Sequence, residues 1–444
     1  MARTGVAQRL EPLLRRLFCG DLPVAVQGWD GSRVGPSGGP VVILRSRRAL
    51  RRLLWAPGEL GLAQAYVSGD LDVDGDLAEG LRRVWATARA RGRRTFEAGD
   101  LFAAVRVAVR LGALGPRPAP PAAQARLSGQ RHTRLRDQAA IAHHYDLSNE
   151  FYALVLDPQM AYSCGYWTKD PGELGYDVEA AQRDKLDLVC RKLGLAPGMR
   201  FLDVGCGWGA LILHAAEHYG VHATGVTLSA RQREFVATRI VERGLTGRAE
   251  VRLQDYREID DGPYDRIASL EMGEHVGAEN YPTYTATLFR LLEPAGRLLL
   301  QQMSRSARFP GGGAFISSYV APDMHMRPVG QTVGLIEGAG FEVRDVEALR
   351  EHYVWTVAAW YETLESRWAQ AVALVGQEQA RVWRLYLVGG MLAFSEQRMG
   401  VDQILAVKPS PIGASGMPRT RRRLVGEAAL LDEAPDGGAA APAG

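Results

Sequence analysis

The 444-residue sequence predicts an α/β fold, a parallel sheet with helices on its faces, preceded by a smaller α+β module. Three observations carry this prediction. From about residue 198 onward, short apolar strand-like runs alternate with helical periodicities. A glycine-rich turn joins the first of those strands to the helix after it. Basic residues gather at the other end of the chain. Apolar residues make up 46% and charged residues 23%, so sizeable cores are expected. That composition excludes a disordered chain, a coiled coil and a collagen-like fibre, and the length suits two or three domains.

The elements follow in order. Leu10, Leu13, Leu14, Leu17 and Phe18 fall on one helical face, with Arg9, Glu11, Arg15 and Arg16 opposite. This reads as a surface helix packed on its own domain; an interfacial helix on lipid headgroups is the alternative. The same charges interrupt any signal-peptide core, and no apolar run reaches the ~18 residues of a membrane span. Strands are predicted at 24–27 and 41–45 around a Gly/Pro/Ser turn, and helices at 47–55, 60–67, 77–90 and 101–111. Residues 1–112 are therefore expected to form a first domain. Gly115-Pro-Arg-Pro-Ala-Pro-Pro121 marks a stiff linker, taken as 113–130. A catalytic domain is expected over 131–409, and 410–444, rich in Gly, Ala and Pro, reads as a disordered tail.

Charge is divided unevenly. Residues 1–126 hold 20 Arg, no Lys and 11 acidic residues, a surplus of nine. The net charge of the chain is +3, which leaves −6 for the remainder. The four lysines of the whole chain show a preference for Arg, but that does not explain why Arg outnumbers acids on one side. A basic module beside a mildly acidic one points to an anionic surface, either membrane or nucleic acid. Cys19, Cys164, Cys190 and Cys206 are scattered without CxxC or Cys/His clustering. No disulfide framework and no metal site is expected, and a reducing cytoplasm fits.

In the second half, strands are predicted at 200–204, 222–228, 250–254, 264–270 and 297–303. Helices are predicted at 210–219, 230–243 and 281–292, and those after 355 are expected to build a lid. The first strand runs into Asp203-Val-Gly-Cys-Gly-Trp-Gly209. Gly205, Gly207 and Gly209 allow close approach of a ligand to the backbone where strand meets helix. A glycine pattern alone is weak, since dinucleotide folds use a similar turn. Here an acid precedes a GxGxG spacing and no Arg cradle for phosphate follows. Both features favour S-adenosylmethionine, as class I methyltransferases hold it, over a dinucleotide.

Longer motifs make a family visible. They are Ala142-His-His-Tyr-Asp-Leu-Ser-Asn-Glu-Phe151, Tyr162-Ser-Cys-Gly-Tyr-Trp167, Ala181-Gln182 with Lys185, and the glycine loop. Gly225-Val-Thr-Leu-Ser229 with Gln232, Gln254-Asp-Tyr256, Glu274-His-Val-Gly277, and Tyr353 with Trp360-Tyr361 complete the set. Over roughly 135–400 the chain resembles the cyclopropane-fatty-acyl-phospholipid synthase family, and 61–76 is similar to the lipid-engaging domain of its longer members. The resemblance implies a class I methyltransferase Rossmann-like sheet with a helical lid. It implies that Tyr162, Ser163, Gly205, Gly207, Gly209, Thr227, Leu228, Ser229 and Gln232 contact S-adenosylmethionine, with Gln254 and Asp255 flanking its adenine. Ser229 would also suit a helix cap.

Methylating an alkene leaves positive charge on the acyl chain, so water must be excluded and a cation tolerated. Tyr162, Tyr166, Trp167, Tyr353, Trp355, Trp360 and Tyr361 are candidate aromatic faces. A base must then remove a proton. The family uses a bound bicarbonate, and its ligands carry over here to Cys164, Glu274 and Tyr353, with Gln301 standing where the family has His and Met303 where it has Ile. Glutamine donates a hydrogen bond to an anion but does not titrate near neutral pH. Without the resemblance, Cys164 reads as a buried apolar residue and Glu274-His275 as a helix-terminal pair. Gly273 replaces a common bulky aromatic, and 319–328 departs from the family's usual segment.

These departures leave the product open between a cyclopropane and a methylene branch. The segment Gln301-Gln-Met-Ser-Arg305 resembles the methylene-forming actinobacterial branch and favours the second. The expected partners are an anionic membrane phospholipid surface, a reductase acting on the product and a second copy of the chain. No nucleic acid is expected, because no Asn-Pro-Pro-Tyr-type segment occurs. The expected location is the cytoplasm, peripherally on the inner face of the membrane. The alternatives are a methyltransferase for a soluble small molecule and a non-catalytic lipid-binding protein.

Overall fold

Residues 4–90, 98–125, 133, 136 and 148–425 are described in the computed structural model. Contacts group them into two units that do not follow the expected linear division. One is Met1–Val155 with Gly311–Met324 and Val357–Arg398; the other is Leu156–Pro310 with His325–Thr356 and Met399–Gly444.

In the first unit, β1 (Ala25–Gln27), β2 (Arg33–Val34), β3 (Val41–Leu44) and β4 (Leu71–Asp74) form a sheet in the order β2-β1-β3-β4. Only β1 and β3 are parallel. Helix Val6–Leu17 turns Val6, Ala7 and Leu10 into the core, with Leu14 and Phe18 packed against it. Its apolar stripe is thus spent inside the unit, as the surface-helix reading expects. Val388 and Leu392 of helix Trp368–Ser395 complete the same core, so the helices from 357 onward share it.

Arg381 ties that helix down. It is 7% exposed, lies over the Tyr66 ring, and donates to the carbonyls of Tyr66 (2.7 Å) and Leu71 (3.2 Å) and to Asp72 (2.7 Å).

The proline-rich segment is also held. A polyproline backbone makes no internal hydrogen bonds, so its carbonyls remain to be satisfied. Arg51 donates to the carbonyls of Ala113 and Leu114, Trp55 to Gly115, and Arg52 to Ala119. From 113 to 119, the expected linker is therefore strapped along helix Arg47–Trp55; 126–132 lie outside the described residues, as do 134–135.

The second unit is built on seven strands: β5 (Arg200–Val204), β6 (His222–Thr227), β7 (Ala249–Leu253), β8 (Tyr264–Leu270), β9 (Leu292–Ser304), β10 (Glu342–Ala348) and β11 (Gly400–Val407). The order is β10-β11-β9-β8-β5-β6-β7. The five strands from β9 to β7 are parallel, whereas β11 and β10 extend the sheet antiparallel. Alternation along each strand feeds two cores. Phe201, Ala268, Leu299 and Leu405 face one, with Leu186, Leu211 and Ile212 from helices. Leu202, Ile267, Leu298 and Ile404 face the other, with Tyr284 and Leu288.

Because β5–β7 and β8–β9 wind outward in opposite directions, the sheet has its switch point between β5 and β8. In such sheets ligands bind beyond the carboxyl ends of those strands.

The tail expectation needs correction over its first part. Helix Arg421–Val425 is formed, Leu424 is buried and Met417 packs on the core. Arg297 explains the docking, since it donates to the Gly416 carbonyl at 2.8 Å. Residues 426–444 lie outside the described residues. No helix among the described residues is long and apolar enough to cross a membrane.

Removing Arg381 strands buried acceptors and part of the Asp72 charge. Arg381→Ala is expected to lower the unfolding free energy by about 3 kcal/mol, read as a shift in the urea midpoint.

Candidate active site

The loop after β5 has the conformation its glycines allow. Gly205, Gly207 and Gly209 have φ of 85°, 53° and 80°, in the left-handed region. A Cβ at Gly205 would stand 2.7 Å from Met272, and one at Gly209 would stand 2.8 Å from Val236. A Cβ at Gly207 would meet nothing within 4 Å, so there the backbone faces open space. Trp208 is buried and meets the partly exposed Tyr162 ring edge-on at 6.4 Å. Asp203, 3% exposed, has one carboxylate oxygen with no partner among the described residues. Burial pushes its pKa up to about 7, opposed by the charge of Lys185. Lys185, also buried, donates to Ser163 Oγ at 2.8 Å, and Gln182 holds the Ser163 carbonyl at 2.7 Å.

At the end of β6, Thr227 donates to Gln232 Oε1 (2.7 Å) and Ser229 caps the next helix by accepting from Gln232 N. Leu228 lies between them. Gln254 donates to the Glu258 carbonyl while its own Oε1 has no partner among the described residues. The Asp255 carboxylate is taken up by Arg257 and by capping the turn after β7.

Three of the four predicted catalytic residues, Cys164, Gln301 and Tyr353, converge, but on a carboxylate other than Glu274. Glu271, directly after β8, has a left-handed φ of 51°. Its Oε1 accepts from Cys164 N (2.8 Å) and Gln301 Nε2 (2.9 Å), and its Oε2 from the Tyr353 hydroxyl (2.5 Å). The three donors come from segments far apart in sequence. Burial raises the Glu271 pKa, while the three donors and Lys185 oppose the rise.

The Gln301 amide is itself oriented. Its Oε1 accepts from Gln403 Nε2 (3.0 Å), and Gln403 accepts from Lys192 (2.8 Å), which is paired with Glu347. That leaves the Gln301 amide NH₂ no orientation but toward Glu271.

Cys164 serves through its backbone. Its thiol is fully buried, points at the carbonyls of Gly165 and Leu349, and is pushed far above the ordinary thiol pKa by burial. It is no thiolate nucleophile.

Glu274 stands apart from this cluster. It is fully buried, one oxygen accepts from Met303 N, and the other has no partner among the described residues. Burial and the charge of Glu271 raise its pKa to about 8. With its side chain wholly buried, Glu274 meets none of the donors that converge on Glu271.

Glu271 was missed by sequence reasoning. The available signal was a charged residue at the carboxyl end of the strand beside the switch point. The structure also places three of the expected bicarbonate ligands, Cys164, Gln301 and Tyr353, around the Glu271 carboxylate. The donor set of Cys164, Gln301 and Tyr353 thus already holds an anion belonging to the chain, and no step need pass through bicarbonate.

Among the candidate aromatics, Tyr166 stacks on His352 (5.0 Å) and Trp167 meets Trp355 (5.9 Å), both in this unit. Trp360 and Tyr361 belong to the other unit. The motif residues 142–147 lie outside the described residues. Among the described residues, no group of three His, Cys, Asp or Glu could hold a metal.

Two departures noted in the sequence turn out to be one. A Cβ at Gly273 would collide with Gln302 Oε1, which accepts from the Tyr281 hydroxyl at 2.6 Å. The amide of Gln302 fills the space a side chain at 273 would need. Arg327, from the divergent 319–328 segment, covers the Tyr281 ring at 3.7 Å.

Residues 132–404 match the family described as mycolic acid cyclopropane synthetase. The chain belongs to this family. A probable fatty acid methyltransferase of Mycobacterium tuberculosis is 37% identical over 90% of this chain and 94% of its own length. The cyclopropane-fatty-acyl-phospholipid synthase of Escherichia coli is 37% identical over 59% of this chain and 66% of its own. A solved mycolic acid cyclopropane synthase, complexed with SAH and CTAB, superimposes with a TM-score of 0.57 at 32% identity, covering 61% of this chain and 97% of that one.

This family member is a class I methyltransferase dependent on S-adenosylmethionine, and it modifies unsaturated lipids. Its glycine loop fits the methyl donor. Gly207 leaves room against the backbone, and the unpartnered oxygens of Asp203 and Gln254 offer acceptors to an amino group and an adenine.

Two outcomes test this site. Gly273→Ala is expected to cost about 1–3 kcal/mol and to cost little in a Gln302→Ala background, measured as a double-mutant cycle by urea unfolding. For Glu274, the native state keeps a proton between about pH 4.5 and 8 that the unfolded chain has released. Its contribution to stability is full below pH 4.5 and declines as pH rises to 8. Glu274→Gln should therefore gain on the wild type by roughly 5 kcal/mol between those limits, read from unfolding curves across pH.

Proposed function

We propose that the enzyme methylates the double bond of an unsaturated acyl chain in a membrane phospholipid, with Glu271 as the base that completes the reaction. When bound, S-adenosylmethionine supplies an electrophilic methyl group on a positively charged sulfur. The alkene π pair forms the new carbon–carbon bond as the carbon–sulfur bond breaks, and the positive charge passes to the acyl chain. A proton must then leave that chain, its bonding pair closing a ring or, after a hydride shift, a methylene double bond.

The observation that carries this reading is the Glu271 carboxylate pinned by three donors beyond the switch point. Cys164 N–H, the Gln301 amide and the Tyr353 hydroxyl fix its direction without competing for the proton. Unlike Glu274, it keeps accessible surface, and its raised pKa makes it a stronger proton acceptor than an ordinary carboxylate. Tyr166 and Trp167, close after Cys164 in the chain, supply aromatic faces that tolerate a cation. The name of the Escherichia coli relative supports a phospholipid substrate. The likeness of 301–305 to the methylene-forming branch supports a methylene product, which a reductase would saturate.

Labelled S-adenosylmethionine incubated with vesicles of mono-unsaturated phospholipid should put label in the lipid fraction. Label confined to a water-soluble acceptor would overturn the reading. NMR of the product separates methylene from ring. Glu271→Gln should lower kcat by about 100- to 10,000-fold with S-adenosylhomocysteine binding unchanged. Wild-type kcat should rise with pH through an inflection above the ordinary carboxylate range, since the base must be ionised. Glu271→Gly, compatible with the left-handed backbone there, should regain part of its turnover when bicarbonate or formate is added.

A further inference from the structure

One surface of the first unit has an inverted composition. Helix Ala98–Arg110 turns Asp100, Val107 and Ala108 inward; Asp100 is 1% exposed and pairs with Arg16 at 2.6 Å. The outer face of a surface helix is ordinarily polar. Here it carries Leu101, Phe102, Val105 and Val109, at 49%, 71%, 37% and 54% exposure. Arg106 and Arg110 stand on the same exposed side.

Just beyond the helix, Leu114 and Trp55 are also half exposed. The Trp55 indole donates to the Gly115 carbonyl and Arg51 to that of Leu114, so the two residues sit together. Single exposed apolar residues are ordinary; a stripe of four on one helix, continued by such a pair, marks a binding surface.

We propose that this face docks on an anionic phospholipid bilayer. Helix Ala98–Arg110 lies in the interface with its apolar stripe among the acyl chains, and Arg106 and Arg110 reach phosphates. The inference rests on the reading of the substrate as a bilayer acyl chain. With 13 residues the helix is about 20 Å long, too short to span a membrane and suited to lying flat.

Charge decides between lipid and a second copy of the chain. A two-fold contact through this stripe would gather Arg106 and Arg110 of both copies into one interface, while the helix's acid, Asp100, is turned inward and paired with Arg16. Anionic headgroups neutralise them, and the long Arg stems let the charges stay at headgroup level above a buried stripe. Helix Val6–Leu17, the interfacial candidate in the sequence, cannot serve, because its stripe is in the core.

The test uses the full-length protein and vesicle flotation. Phosphatidylglycerol vesicles should carry it upward and phosphatidylcholine vesicles much less, with binding weakened by salt. Phe102→Ser with Val105→Ser should weaken binding about tenfold or more while the melting temperature and S-adenosylhomocysteine binding stay at wild-type values, since both side chains are exposed. Methyl transfer to vesicle lipid should fall with binding, and transfer to the same lipid in detergent micelles should not. Flotation equal to wild type would overturn the proposal. So would a changed oligomeric state on gel filtration with flotation intact, which would make the face a contact between copies. Absence of lipid labelling in both vesicles and micelles would count against the proposed function, while flotation would still decide the docking face.

Discussion

One largely desolvated carboxylate, that of Glu271, organises the polar interior of the second unit. Removing the charge of Glu271 from water is costly, and the structure offsets the cost only by aiming three donors at it and setting Lys185 nearby. Each donor needs its own support. Gln301 is oriented by Gln403, and Gln403 by Lys192, so the antiparallel strands β10 and β11 at the far side of the sheet reach into the site. Cys164 is placed by the segment that also holds Ser163 for Lys185. Tyr353 comes from the first turn of helix Arg350–Ser366. Disturbing any of these segments would disturb the carboxylate.

The same constraint explains why departures from the family pattern occur together. A His at 301 would titrate beside a second ionisable group, whereas Gln donates to Glu271 without doing so. A side chain at 273 is incompatible with Gln302, whose amide is fixed by Tyr281, and Tyr281 is covered by Arg327. The departures at 273 and 301 thus sit in one polar interior with Glu271 and Gln302.

In the first unit the basic surplus also acquires a structural meaning. The acidic residues are drawn into internal pairs: Asp70 with Arg48 and Arg52, Asp72 with Arg45 and Arg381, Glu79 with Arg82 and Arg83. With the acids engaged at home, the net positive charge of the module falls on its outward arginines, including those beside the exposed apolar stripe.

Much of the fold was legible in the sequence because local signals sufficed. Strands β5 to β9 are short apolar or alternating runs set between helical periodicities, and Gly205, Gly207 and Gly209 mark the first strand–helix junction because other residues take those φ angles only at a cost. Strands β10 and β11 were not legible, since β10 alternates charged residues and β11 finds its partners only once β9 is in place. Nor could the first core reveal that Val388 and Leu392 belong to it, almost 300 residues away from Leu111. The sequence by itself determined the sheet, the methyl-donor loop and which residue types the chemistry requires. Only the tertiary structure showed that the three donors gather on Glu271 and leave Glu274 aside. The two glutamates stand three positions apart in the chain, and what distinguishes them is which one residues 164, 301 and 353 converge upon.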